Sequence, residues 1–352
     1  MQPVHAMSHP LLYPAQMKAR DVGVRWQMEF AESIRAHVLA VPEVASWPDI
    51  AALFERAASK PRPDWEWPVL ACRAVGSDPS LAVPGAAAIG CLYVSIILVD
   101  DMLDEDPRGE HLRRGCGPTA NIALALQAAA FRVIDQAVVS AERRAAVTSS
   151  LAWLALATCW GQDLDAQNLE GEDNYWKVVR AKSTPFYGTA LHVGALLGNA
   201  PLEVAAALRD LGLLLGEVIQ IQDDLTDTFQ VPAAPDWTQG RLSLPILYAR
   251  TADHPDRGRF MELLPQANDP GALREAQRIL LRCGAVSYCA YQMLQRQRQV
   301  RQMIDGLSLA DPAPIRNLWT EQIQPLIRLL STRLGPGSGD EPIPAELMAL
   351  ME

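Results

Sequence analysis

From residue 86 to residue 99 the chain reads AAAIGCLYVSIILV, and the next residues are Asp100-Asp101-Met102-Leu103-Asp104. The apolar run is shorter than the ~20 residues a helix needs to cross a bilayer. It also ends in carboxylates, which a membrane interior would not accept. What remains is a buried helix with acid at its C-terminal end. The same design recurs downstream, where helical periodicity over 204–222 is closed by Asp223-Asp224-Leu225-Thr226-Asp227.

A chain built on such runs is helical almost throughout. Segments 118–141, 145–166, 204–222 and 273–304 are long, rich in Ala, Leu, Gln and Arg, and interrupted by few glycines, and two-residue alternation is scarce. Breaks of loop size fall at 59–68, 106–118, 170–174, 230–240 and 254–256, each a cluster of proline, glycine and charge. Composition does not shift across any break. The expected fold is all-α: one large domain over residues 31–334, with antiparallel helices around a central cavity. An N-terminal extension (1–30) precedes it, and a flexible tail opening on GPGSGDEPIP (335–352) follows.

Composition excludes several classes. At 49% hydrophobic residues the 352-residue chain is not disordered. A formal charge of −10 lacks the basic stripe of a nucleic-acid binder. The six cysteines form no CxxC pair, so they read as reduced core thiols rather than a disulfide framework or zinc site. The N-terminus shows no charged region followed by an apolar one, hence no signal peptide. A soluble, cytoplasmic protein without stable membrane insertion is expected.

Both aspartate clusters read DDxxD. With each acidic residue type near ~6%, one such motif arises by chance in roughly one chain of this length in twelve, and two in well under one in a hundred. On a helix, positions i and i+4 share a face, so Asp100 with Asp104, and Asp223 with Asp227, aim at common points. Packed carboxylates repel unless a cation lies between them, and hard oxygen ligands suit Mg²⁺ that keeps waters and binds substrate phosphates. The alternative, two solvated acidic helix ends, sets like charge against the helix dipole. It also leaves each long apolar run unexplained. Asp100, Asp101, Asp104, Asp223, Asp224 and Asp227 are therefore candidate metal ligands. Candidate anion-binding cations are Arg113, Arg114, Lys182 (followed by Ser183), Arg241, Lys60 and Arg62, and together the two sets suggest a diphosphate held between Mg²⁺ and basic groups.

These motifs resemble the trans-isoprenyl diphosphate synthase (polyprenyl synthetase) family of the all-α class I terpenoid synthase group. The first cluster followed by Arg113-Arg114-Gly115 is similar to that family's first aspartate-rich motif. Gly161-Gln162-Asp163-Leu164-Asp165 resembles its GQxxD element, and Lys182-Ser183 its KT pair. Residues 216–227 (GEVIQIQDDLTD) resemble the second motif, with Gln220 at the expected glutamine, and Gln239-Gly240-Arg241-Leu242-Ser243-Leu244-Pro245 resembles GKxTLP. The matches run in family order over roughly residues 60–250. Departures are visible too. The spacer EDPRGEHL between Asp104 and Arg113 is longer than the family norm, Val99 stands where histidine is common, and SKPRP only loosely echoes GKxxRP.

The resemblance implies an isoprenoid synthase fold, a homodimer, and two or three Mg²⁺ ions at the aspartates. It implies that an allylic prenyl diphosphate ionises beside Lys182 and Arg241 and is attacked by isopentenyl diphosphate held by Arg114, Arg113, Lys60 and Arg62. No side-chain nucleophile is required, so His192 and Cys159 are expected to be core residues. Ser95 and Ile96, one turn before Asp100, stand where the family often places chain-limiting aromatics, with Leu92 next down that face. Neither is aromatic, which implies a product of about twenty carbons or longer. A class I terpene cyclase on the same scaffold is the alternative, favoured by the long spacer and weak GKxxRP echo. A non-catalytic accessory subunit would have no use for two intact motifs.

Overall fold

The computed structural model describes residues 30–238 and 240–322, and every regular element among them is helical. The extension and tail expected from the sequence lie outside these residues, Phe30 apart. Helices α1 (Ala31–Leu39), α2 (Pro42–Ala45), α3 (Pro48–Ala58) and α4 (Trp67–Ala74) lead into α5 (Val83–Leu103). Then come α6 (His111–Arg114), α7 (Cys116–Gln136), α8 (Ala141–Ala166), α9 (Glu172–Val178), a π-helical turn (Val179–Ser183), α10 (Thr184–Leu197) and α11 (Leu202–Thr228). Short α12 (Pro235–Thr238), then α13 (Leu244–Thr251), α14 (Arg257–Leu263), α15 (Pro270–Arg282) and α16 (Ala285–Gly306) complete the order.

Helix α5 is apolar on every side, and its whole run from Val83 to Val94 is buried except Pro84. At this length and composition it could cross a membrane, contrary to the shorter run read from sequence. However, 78% of its most apolar window lies inside the protein, so it is the core helix. It packs on α7, α10 and α8, and α10 packs most extensively on α11 and α4. A second buried cluster, including Trp237, Phe260, Leu273 and Ile279, lies under the C-terminal helices.

Several boundaries differ from the sequence reading for local reasons. Segment 118–141 ends early, at Gln136, because Ser140 caps the next helix by accepting from the Arg143 amide. Segment 273–304 divides at Gly284, whose φ of +90° is open to glycine at no steric cost. The second aspartate cluster lies within α11 rather than after it. Cys116 and Cys159 are exposed, not core: Cys116 opens α7, and Cys159 shares the outward, apolar face of α8 with Trp153, Leu156 and Trp160.

Two glycines position the site. A Cβ on Gly161 would lie 2.2 Å from the Lys182 backbone nitrogen, and one on Gly216 would lie 2.8 Å from Thr184 Cα. Their absence of side chain lets α8 and α11 close on opposite sides of the π-helical turn. Lys182 and Ser183 are thereby fixed between them.

Candidate active site

One cavity gathers most of the residues singled out by the sequence. Asp100 reaches it from the last turn of α5, and Asp223, Asp224 and Asp227 from the end of α11. Lys182, Ser183, Gln220 and Arg241 line it with them. Its apolar wall includes Tyr93, Ile96, Ile97 and Phe186. The cavity is therefore acidic and basic at one end and hydrocarbon at the other.

The cations are already engaged with the first cluster. The Lys182 ammonium donates to Asp165 at 2.6 Å and lies 3.2 Å from Asp100. Arg241 forms an ion pair with Asp104, which caps α5. Burial pushes the Asp100 carboxyl above the usual carboxylate range, and the Lys182 charge works against that shift.

Around the second cluster the three aspartates differ. Asp224 is committed to the protein: Gln220 donates to Oδ1 at 2.8 Å, while the Tyr175 hydroxyl (2.8 Å) and the Leu244 amide (2.7 Å) donate to Oδ2. Ser183 in turn donates to Gln220 at 2.6 Å, so the π-helical turn, α9, α11 and the start of α13 meet at one carboxylate. Even so, burial and then the charge of Asp236 raise Asp224 to about 7. Burial, with Asp236 and Asp224 adding, raises Asp227 to about 8, and Gln230 donates to it at 2.6 Å. Among the described residues, no hydrogen bond or ion pair reaches Asp223. Burial and the neighbouring carboxylates Asp227, Asp224 and Asp64 push it well above its ordinary value.

A divalent cation fits this donor set. The ligands are all hard carboxylates, and among the described residues the charges acting on Asp223 are those of the carboxylates Asp227, Asp224 and Asp64. Among the described residues, no three acidic, histidine or cysteine side chains converge into a ready-made ion site. A hard divalent cation held by one or two carboxylates fills the rest of its shell with waters or phosphate oxygens.

Sequence reasoning missed several residues here. Asp165 stood inside the GQDLD string, yet only tertiary packing reveals it as the partner of Lys182. Asp236, pushed upward by burial against the pull of Arg241, lies in α12, a four-residue helix too short to show a periodic signal. Tyr175, Tyr93 and Phe186 carried no motif. In the 3-10 turn Pro63–Glu66, Asp64 is raised to about 7 by burial, with Arg62 opposing.

Other expected residues stand outside the cavity. Lys60 is exposed. Arg62 is beside the wall, its guanidinium 5.3 Å from the Tyr93 ring centre and donating to the Tyr93 hydroxyl at 3.3 Å. Neither Arg113 nor Arg114 is among the lining residues; both pair with Glu110, and Arg114 also with Asp49. Of the positions expected to limit the chain, Ile96 lines the cavity, whereas Ser95 and Leu92 are fully buried and do not. Helix geometry gives the reason: the face bearing Asp100 carries Ile96, Ile97 and Tyr93 at the preceding turns.

A sequence profile of the polyprenyl synthetase family matches residues 67–280. A short chain isoprenyl diphosphate synthase of Methanothermobacter thermautotrophicus is 27% identical over 69% of this chain and 79% of its own. A geranylgeranyl pyrophosphate synthase of Geoglobus acetivorans is 28% identical over 74% of this chain and 83% of its own. Among solved structures, geranylgeranyl pyrophosphate synthetase of Pyrococcus horikoshii superposes with a TM-score of 0.73 at 22% identity, covering 84% of this chain and 94% of that one.

Proposed function

The chain belongs to the polyprenyl synthetase family, and on that premise we propose that it joins an allylic prenyl diphosphate to isopentenyl diphosphate. The products are pyrophosphate and a trans-polyprenyl diphosphate of about twenty carbons or longer. The observation that carries this reading is the polarity of the cavity. Asp100 of the first cluster, all three aspartates of the second, Lys182 and Arg241 line it together with a hydrocarbon wall, while Asp101 and Asp104 are not among the lining residues.

Asp100, Asp104 and Asp223 would hold two or three Mg²⁺ ions, with Asp101, Asp224 and Asp227 in support. When bound, the ions supply Lewis-acid stabilisation of charge on the departing pyrophosphate. Lys182 and Arg241 bind that leaving group, and Ser183 and Gln220 fix the turn that presents Lys182. The allylic carbon–oxygen bond breaks with its electron pair leaving on pyrophosphate. The double bond of isopentenyl diphosphate then attacks the cation, and the released proton passes to pyrophosphate. Tyr93, Ile96, Ile97 and Phe186 keep water from the cation. Arg62, Arg113, Arg114 and Lys60 serve the second diphosphate.

The protein acts as a cytoplasmic homodimer. Support comes from α7 and α8, whose outward faces carry Leu124, Trp153, Leu156 and Trp160, all exposed. An apolar face of this kind on a soluble protein marks an association surface.

The engagement of Arg113 and Arg114 by Glu110 favours a second reading, a class I cyclase that needs no isopentenyl diphosphate. Purified protein with Mg²⁺ and geranyl, farnesyl or geranylgeranyl diphosphate, with and without isopentenyl diphosphate, separates the two. Longer diphosphates formed only with isopentenyl diphosphate support the transferase. Hydrocarbon or alcohol from the allylic substrate alone supports the cyclase, and inactivity in every mixture removes both.

A further inference from the structure

Three arginines converge on one carboxylate beside the first aspartate cluster. Arg56 of α3 donates to Glu110 Oε1 at 3.1 Å, and Arg114 donates to the same oxygen at 2.6 Å. Arg113 donates to Oε2 at 3.1 Å. The Glu110 side chain is only 13% exposed, while those of Arg56 and Arg113 are 45% and 63% exposed. The carboxylate therefore sits below the guanidinia that surround it.

Glu110 is delivered there by the long spacer after Asp104. Asp106 anchors that spacer by accepting from the Arg108 amide at 2.7 Å and from its guanidinium at 2.6 and 2.9 Å. The Asp106 amide donates to the Asp101 carbonyl at 3.0 Å, and the Gly109 amide to the Asp106 carbonyl at 2.9 Å. A Cβ on Gly109 would stand 3.1 Å from Asp101 Cβ, so the turn lies directly against the first cluster.

We propose that Glu110 is an internal anion seated in a three-arginine site for a diphosphate, and that it sets how tightly that site binds. Guanidinium forks take carboxylate and phosphate oxygens in the same geometry. Partly exposed ion pairs contribute little stability one by one. Gathering three like charges around one carboxylate therefore has no adequate stabilising return. It suits an anion of higher charge than Glu110 carries. Counting Asp49, which pairs with Arg114 at 3.0 Å, the group holds three positive charges against two negative. A diphosphate entering the site displaces Glu110, and the exchange lowers its net affinity.

That the visiting anion is isopentenyl diphosphate rests on the prenyltransferase reading; that the arginines bind a diphosphate does not. The test compares the native chain with Glu110→Gln, which keeps the shape and removes the charge. Inorganic pyrophosphate is titrated calorimetrically in EDTA, where the aspartate clusters have no metal with which to bind it. Removing one like charge from a partly exposed site is worth about tenfold, so E110Q binds pyrophosphate about tenfold more tightly. Unchanged or weaker binding overturns the proposal, weaker binding meaning that Glu110 only holds the arginines in place. Should E110Q fail to fold, Arg56→Gln in the otherwise native chain weakens pyrophosphate binding in EDTA, and equal binding overturns the site. In steady-state assays E110Q lowers KM for isopentenyl diphosphate and leaves KM for the allylic substrate alone. Tighter pyrophosphate binding without that fall in KM overturns the occupant but not the site. Absence of elongation by the native enzyme overturns the prenyltransferase reading, while the EDTA titration still decides the site.

Discussion

The Lys182 ammonium lies 2.6 Å from Asp165, on α8, and 3.2 Å from Asp100, on α5. One cation thus bridges two helices and touches a carboxylate proposed to hold metal. Asp165 holds Lys182 back from Asp100. In Asp165→Asn the ammonium is left to Asp100 alone, where it competes with a divalent cation for the same oxygens. Half-maximal activity then requires several-fold more Mg²⁺, and kcat at saturating Mg²⁺ falls less than in Lys182→Met, which loses a leaving-group donor worth on the order of 10²–10³-fold. Activity measured against Mg²⁺ concentration checks this, and an unaltered Mg²⁺ requirement would remove Asp165 from the site.

Asp223 and Asp224 are neighbours in sequence with opposite roles. Among the described residues Asp223 receives no hydrogen bond or ion pair, whereas three donors converge on Asp224. Asp223→Asn removes a repelling charge, so metal-free stability is kept or raised while activity falls on the order of 10²–10³-fold. Asp224→Asn sets an amide nitrogen against donors and costs about 1–3 kcal/mol of stability. Denaturant titration of both variants in EDTA, paired with turnover, distinguishes the two. Equal destabilisation would contradict the assignment.

The aspartate clusters were legible in the sequence because their message is local. Spacing of i and i+4 on a helix that follows an apolar run fixes both the face and the burial. The cations Lys182 and Arg241 were legible as candidates, but their partners were not. Asp165 meets Lys182 only because Gly161 allows α8 to touch the π-helical turn. The destination of Arg113 and Arg114 also depended on tertiary structure, since Arg56 and Asp49 come from a distant helix. Cys159 misled for a related reason: an apolar helix face reads as core whether the protein covers it or leaves it exposed.

His192 predicts a separate acid sensitivity. Its Nδ1 lies 2.9 Å from the Ser150 hydroxyl between α10 and α8. Burial, then the Arg209 charge, lowers its pKa from 6.5 to about 4, with Asp210 opposing. The folded state therefore holds this ring neutral where the unfolded chain would protonate it. Its contribution is fully present above pH 6.5 and is lost as pH falls through about 4. Allowing for partial solvent screening, the loss is on the order of 1–2 kcal/mol. Stability measured from pH 7 to pH 4 should fall more steeply for the native chain than for His192→Gln. Parallel curves would show that the ring titrates alike in both states.

The packing of Tyr93 predicts that product length turns on this residue. Its ring lines the cavity and meets Phe186 edge-on at 5.7 Å and Trp65 at 5.8 Å, with the Arg62 guanidinium 5.3 Å from its centre. A ring held by three neighbours on a 5% exposed residue cannot swing aside to admit a growing chain. Ser95 is fully buried away from the lining, so Ser95→Phe inserts a ring into packed core. That change costs about 1–3 kcal/mol of stability rather than shortening the product. Tyr93→Ala removes the ring from the wall and shifts the products toward longer chains, while kcat for the first condensation is affected less than the distribution. Chromatography of dephosphorylated products from both variants decides between the two positions. A shorter product from S95F, with the Y93A distribution unchanged, would return the chain-length role to the turn before Asp100.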